Sequence, residues 1–314
     1  MEFLKRIMGF NREKDPAHLF FLSRFLHPHA LKDFMKDDGW ETVLKEPPKK
    51  ALDWFIDNGF IEPAGINGKL DHKFKLPELK DLLKARGLKV TGKKDILIER
   101  LIEADATGVE VLVRGLEIFE CSEKGEAVSA SYLDEEKEKK SAVEQQVFQA
   151  LQNLELDKAC QIANSYHQQA VFSTGIDYDS TFIKEIFASK PKILKNIKDH
   201  QLNALRVVAA MMYLLSCRNV KNWLPPDFHI DSSLGAESAA RMLIFHPSYL
   251  KNLHELKKCG FKKARIIVAD NACEHCRELK NNTYSINKVP ELPYEECTCK
   301  MGCRCCLVAD LPSS

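Results

Sequence analysis

Two leucine-spaced segments on either side of a short turn, Lys73–Ala104, constrain the fold of this chain more than any other stretch. In KFKLPELKDLLKARGLKVTGKKDILIERLIEA, Leu76, Leu79, Leu82 and Leu83 recur at three- and four-residue steps, which sets them on one face of a helix. Pro77 suits the first turn of that helix, where a missing N–H costs nothing. Gly87 is placed to stop it, because the residue after a helix often needs a positive φ. Leu88 then turns back toward the core. Thr91 is the expected N-cap of a second helix whose apolar side is Ile96, Leu97, Ile98 and Leu101. Nine basic residues against five acidic give this stretch a charge of +4, while the whole chain carries only +1. The positive charge is therefore local, as a nucleic-acid footprint is.

Leu79, Leu83, Gly87-Leu88, Gly92-Lys93-Lys94, Leu97 and Arg100-Leu101 together resemble a SAP motif, a helix–extended–helix DNA-binding module. The resemblance runs without a gap over about a tenth of the chain, and helix period, turn residues and basic positions agree within it. It implies duplex DNA as the partner, often AT-rich. Physical reasoning leads the same way. The start of a helix at Thr91–Lys94 offers unpaired N–H groups and the positive end of a helix dipole, to which a phosphate can bind. Lys80, Lys84, Arg86, Thr91, Gly92, Lys93, Lys94 and Arg100 are the expected contacts. Such contacts set affinity more than base choice and weaken with salt. The plain alternative is a helical hairpin with a solvated basic face.

At 314 residues the chain has room for two or three domains. Residues 1–70 read as a helical region, with Pro47-Pro48 opening a helix over Lys49–Asn58. Ala51–Pro63 pairs an apolar helix ending at Gly59 with a short strand, which resembles the approach to the wing of a winged helix. Val113–Val128 is then the returning strand, turning at Glu123-Lys124-Gly125. Residues 71–105 form the SAP-like module and 106–132 a short strand and turn region. Residues 133–260 read as a helical body, and 261–314 as a small Cys-rich module with short strands. The expected fold class is thus mainly α and multi-domain: a SAP-like hairpin, a helical body and a C-terminal cysteine knuckle. Within the body, the mixed charges of Leu133–Lys140 read as the solvated first turns of a long helix. Helices are expected over Val143–Leu154, Leu156–Ala170, Thr181–Ala188, Pro191–Cys217, Leu234–Phe245 and Tyr249–Cys259. The most apolar of these, Leu202–Cys217, contains Asn203 and Arg206 and is too short to cross a bilayer, so no membrane contact is expected. The N-terminus lacks the pattern of a secretory signal, which implies a cytoplasmic protein, nucleoid-associated if bacterial.

Cys121, Cys160, Cys217 and Cys259 are isolated, but seven of the eleven cysteines fall between Cys273 and Cys306. Without an export signal, clustered cysteines read as metal ligands before disulfides. Cys273-Glu274-His275-Cys276 is a C-x2-C knuckle whose two sulfurs can face one tetrahedral ion. The expected ligands are Cys273, Cys276, Cys299 and Cys303, with Cys305 next and Cys297 and Cys306 as spares. His275 is an alternative ligand. The ion expected is a structural zinc in a closed all-sulfur site, and a second metal or a redox disulfide stays open. Ala264–Ala269 reads as a strand leading into the cluster, with Thr283–Ile286 as hairpin partner and Asn281-Asn282 near the turn. Asp270–Leu279, Pro293 and Cys303-Arg304-Cys305 are similar to the C-terminal signature of phage head-morphogenesis (minor capsid) proteins, although Cys299 stands where that signature often has a histidine.

Signals for an enzyme are sparse. Asp227, His229 and Asp231 alternate, so on a strand they would share a face and hold a divalent ion as a nuclease does. Asp177 and Asp179 form a similar pair. The first set reads more simply as a loop after Pro225-Pro226 that caps the Leu234 helix, and no Walker loop, nucleophile elbow or H-E-x-x-H motif is present. The expected function is therefore a DNA-binding protein that tethers a helical body to duplex DNA, with a protein partner for the body or the Cys-rich end. The alternatives are a metal-dependent nuclease or toxin-like effector and a prophage-derived head protein.

Overall fold

The computed structural model describes residues 11–35, 39–173, 175–230, 234–280 and 282–310. They form a mainly helical chain with two small antiparallel sheets. The five expected segments fall into two compact units, residues 1–140 with 170–173, and residues 141–169 with 174–314.

The first unit begins with α1 (Pro16–Arg24), α2 (Lys32–Met35), α3 (Gly39–Leu44) and α4 (Pro48–Asp57). Asp15 caps α1 by accepting from the His18 amide at 3.2 Å, and Pro16 and Pro48 sit where a helix needs no donor. The helices enclose an aromatic core of Phe21, Phe25, Phe34, Trp40, Phe55 and Phe60, all buried. Phe21 meets Phe25, Phe34 and Trp40 edge-on at 5.0–5.3 Å, the arrangement that ring quadrupoles favour. At the rim, the Arg12 guanidinium forks onto Glu46 at 2.7 and 2.6 Å, and Glu46 also contacts Nε2 of the fully buried His18.

After α4 the chain turns at Gly59 (φ 72°) into β1 (Ile61–Pro63), and returns much later through β2 (Phe119–Cys121), paired with Ile61 opposite Cys121. Between these strands lie α5 (Ile66–Lys73), α6 (Leu76–Lys84) and α7 (Lys94–Val113). These three helices carry their own core: Leu70, Leu79, Leu83, Leu97, Ile98, Leu101, Val109 and Val113. The strand pair therefore carries a self-cored helical insertion. The expected return over Val113–Val128 is shorter than read from sequence. Glu123-Lys124-Gly125 is not a hairpin turn but the first turn of α8 (Glu123–Gln152). Gly125 is required there, because a β-carbon would overlap the Phe60 carbonyl oxygen. The Leu133–Lys140 charges lie in the middle of α8 rather than at its start, with Lys139 and Glu136 paired at 2.8 Å.

The second unit contains the last turns of α8, then α9 (Leu156–Gln169), α10 (Ser180–Ala188), α11 (Asp199–Leu215) and α12 (Ala236–Lys258). α11 is the buried centre, with Leu205, Val208, Ala209, Ala210, Met211 and Leu214 fully covered. The two helices expected at Leu234–Phe245 and Tyr249–Cys259 are one continuous helix that passes through Pro247. Proline removes one helical hydrogen bond, but Met242, Leu243, Pro247 and Tyr249 are all buried, so packing on both sides of the ring holds the helix together. β3 (Lys263–Ile267) pairs antiparallel with β4 (Thr283–Ser285), as the alternation suggests, and also with β5 (Cys306–Ala309), which the sequence did not signal. Asn281 lies outside the described residues. Between β3 and β4 runs the short helix α13 (Glu274–Glu278) of the cysteine knuckle. Ala264, Ile266, Cys276, Cys303 and Leu307 join one core with α11 and α12, so the Cys-rich segment has no separate core of its own. Among the described residues, no helix is long and apolar enough to cross a membrane.

Candidate nucleic-acid interface and thiolate cluster

The α6–α7 hairpin follows from its sequence with four differences. Leu79 and Leu83 are fully buried and Leu82 is partly buried, while Leu76 at the start of α6 is exposed. Gly87 takes φ 68° and the Leu88 amide returns to the Leu83 carbonyl at 2.9 Å, closing the helix as expected. The cap of α7 is Lys93, not Thr91. Gly92 takes φ 138°, Lys93 is extended, and its carbonyl accepts the first helical bond from Leu97 at 3.1 Å. Thr91 therefore lies two residues outside the helix. Ile96, expected on the apolar side, is exposed, and Leu97, Ile98 and Leu101 fill that side alone. α7 also runs beyond Ala104 to Val113, with a kink at Asp105 (φ −156°, ψ 63°).

The eight expected contact residues divide by what already holds them. The Arg86 guanidinium pairs with Asp105 at 2.8 Å, and this contact fixes the kink residue. Lys94 is half-buried and binds the Asp71 carboxylate at 2.9 Å as well as the Asp71 carbonyl. Arg100 donates to the Lys89 and Thr91 carbonyls at 2.6 and 3.1 Å, which braces the loop before α7. Lys84 has an exposed partner in Asp81 at 3.2 Å. Lys80 and Lys93, together with Lys89 of the same basic set, have no carboxylate within ion-pair distance among the described residues. Gly92 and Lys93 are exposed, so the amides that open α7 are reachable from solvent, with the exposed Asp95 in the same first turn.

The cysteines come together without disulfides. Sulfurs of Cys273, Cys276, Cys297 and Cys299 lie within 4.8 Å of one another, and those of Cys276, Cys303 and Cys305 form a second such group. Cys297, read as a spare, is thus in the first group, and Cys303 sits in the second. Cys306 and His275 are exposed and belong to neither. The Cys273–Cys297 separation is 3.9 Å, close to the edge of roughly 3.8 Å that four thiolates at ~2.3 Å from a zinc ion require. Amide donors are aimed at the sulfurs. Cys273 Sγ accepts from Thr298 at 3.4 Å and from Cys276, and Cys299 Sγ accepts from Cys273 at 3.2 Å. Burial would raise the Cys273 thiol, but these amides outweigh it and hold it at about 6. Cys303 is held well below the usual thiol range by contacts with Cys297 and Cys305, against its burial. Cys276 is pushed up to about 12 by burial and by the neighbouring Cys303 charge. The donor set, the spacing and the amides all fit a thiolate-bound metal.

Of the carboxylates considered for a nuclease, Asp177 and Asp179 already have partners. Asp179 caps α10, accepting from the Thr181 amide at 2.6 Å, and Asp177 accepts from Asn164 at 2.6 Å. Asp227 and His229 lie in a turn and loop rather than a strand, and the His229 carbonyl accepts from Gln201 at 2.7 Å. Asp231 lies outside the described residues. Cys259, one of the four isolated cysteines, is exposed at the end of α12.

A leucine-cored hairpin with a glycine turn and a basic helix start is compatible with a small nucleic-acid-binding module. Residues 72–106 match the SAP domain, so the resemblance seen in the sequence holds for this part of the chain. No curated protein and no solved structure matches the chain. The similarity to phage head-morphogenesis proteins accordingly has no support beyond its cysteine spacing.

Proposed function

We propose that the chain binds duplex DNA through its SAP domain and thereby tethers the helical second unit to DNA, where that unit or the Cys-rich segment meets a protein partner. The observation that carries this reading is the exposed Gly92-Lys93 turn. It combines free helix-start amides with lysines that no carboxylate among the described residues neutralises. Those amides and cations can contact the sugar–phosphate backbone, while the hairpin presents little that would read a base sequence. The Cys273, Cys276, Cys297 and Cys299 group holds a structural zinc ion, since four sulfurs leave no open position for catalysis. Replacing Lys80, Lys89 and Lys93 together with Glu tests the DNA reading in the full chain: duplex binding at moderate salt is lost, with the helical content unchanged by circular dichroism. Undiminished binding would remove it.

A further inference from the structure

We propose that the C-terminal cysteines form a binuclear cluster, in which six thiolates hold two metal ions and Cys276 and Cys297 are shared between them. The inference rests on reading the Cys273 group as a metal site, and it adds a second ion beside the first. Cys276 is a member of both sulfur groups, the four around Cys273 and the three with Cys303 and Cys305. Two tetrahedral ions need about eight coordination positions, and six thiolates supply that number only when two of them bridge. Cys276 is one bridge by its place in both groups. Cys297 is assigned as the other because it lies with Cys276 in the first group, and its thiol also meets Cys303 of the second. Cys273 and Cys299 are then terminal on one ion, and Cys303 and Cys305 on its neighbour.

The amide donors follow the same division. Cys273 and Cys299 receive backbone N–H groups at the first position. At the second, the backbone of Tyr294 and Cys305 lies against Cys303. Cys297 accepts one amide, from Cys299. Charge favours the pair as well. Six thiolates with two divalent ions carry the same net charge as four thiolates with one, so the second ion neutralises Cys303 and Cys305 without adding charge to the core they share.

The test is metal content and cadmium NMR of the full chain loaded with cadmium. About two ions per chain are expected, giving two signals in the tetrathiolate region that split each other through shared sulfur. Cys303→Ser/Cys305→Ser is expected to retain one ion and one unsplit signal. One ion in the unsubstituted chain would overturn the second position and leave the first standing. Two unsplit signals would overturn the sharing, and a chain that takes up no ion would overturn both positions while leaving the DNA reading untouched. Because the decisive readings come from the unsubstituted chain, they do not depend on a variant folding.

Discussion

Lys93 and Lys94 are adjacent, and sequence alone treats them as equivalent phosphate contacts, but the structure gives them different surroundings. Lys93 caps α7, is exposed and has no carboxylate partner among the described residues, whereas Lys94 is bound to Asp71 at 2.9 Å. With Lys80, Lys89 and Lys93 each neutralising one phosphate, the logarithm of affinity falls with the logarithm of salt at a slope of about −2.7. Between about 50 and 200 mM salt that is a loss of about 40-fold. Lys93→Ala reduces the slope to about −1.8, and the loss over the same range to about 12-fold. Lys94→Met leaves the slope unchanged and instead costs the hairpin about 1 kcal/mol, the upper end for a partly exposed ion pair. Fluorescence anisotropy with a labelled duplex at several salt concentrations reads the slopes, and thermal melting reads the stability. An unchanged slope in Lys93→Ala, or an equal fall in Lys94→Met, would refute this division.

Two further outcomes follow from the first unit. Burial would raise the Glu46 carboxyl, but hydrogen bonds from Arg12 and His18 outweigh it and hold it at about 2 rather than 4.5. A depressed carboxyl stabilises above its unfolded value and loses that contribution as pH falls. Acid therefore removes roughly 2–3 kcal/mol between pH 4.5 and about 2, and Arg12→Met removes most of this dependence, as Trp40 and Trp54 fluorescence would follow. An acid-unfolding profile identical in Arg12→Met would contradict the assignment. Gly125→Ala drives a β-carbon into the Phe60 carbonyl and should destabilise this unit by at least about 2 kcal/mol in urea unfolding, whereas the neighbouring exposed Glu126→Ala should stay within ~0.5 kcal/mol.

Much of the hairpin was legible because its signals are local. Leucines four residues apart, a glycine forced to φ 68° and a proline in the first turn act within a few residues of each other. The errors there have local causes too: Gly92 displaces the cap from Thr91 to Lys93, a shift of two residues that composition does not reveal. What stayed hidden depends on residues distant in sequence. Arg86 meets Asp105, Lys94 meets Asp71, and Cys297 reaches Cys273 across 24 positions. A count of basic residues or thiols shows that such groups are present, but pairing is decided by tertiary contacts. The uninterrupted α12 has the same origin, since buried contacts on both sides of Pro247 override the local tendency to break. In the cysteine segment, spacing pointed to metal chemistry, while the membership of each sulfur group came only from the folded chain.

We propose that the SAP domain gives this chain its duplex binding, and the decisive experiment titrates the full protein against a duplex, a single strand and a duplex RNA over a range of salt. The expected result is tightest binding to duplex DNA, weakening steeply as salt rises. Binding to none of them at low salt, or binding that salt does not weaken, would contradict it.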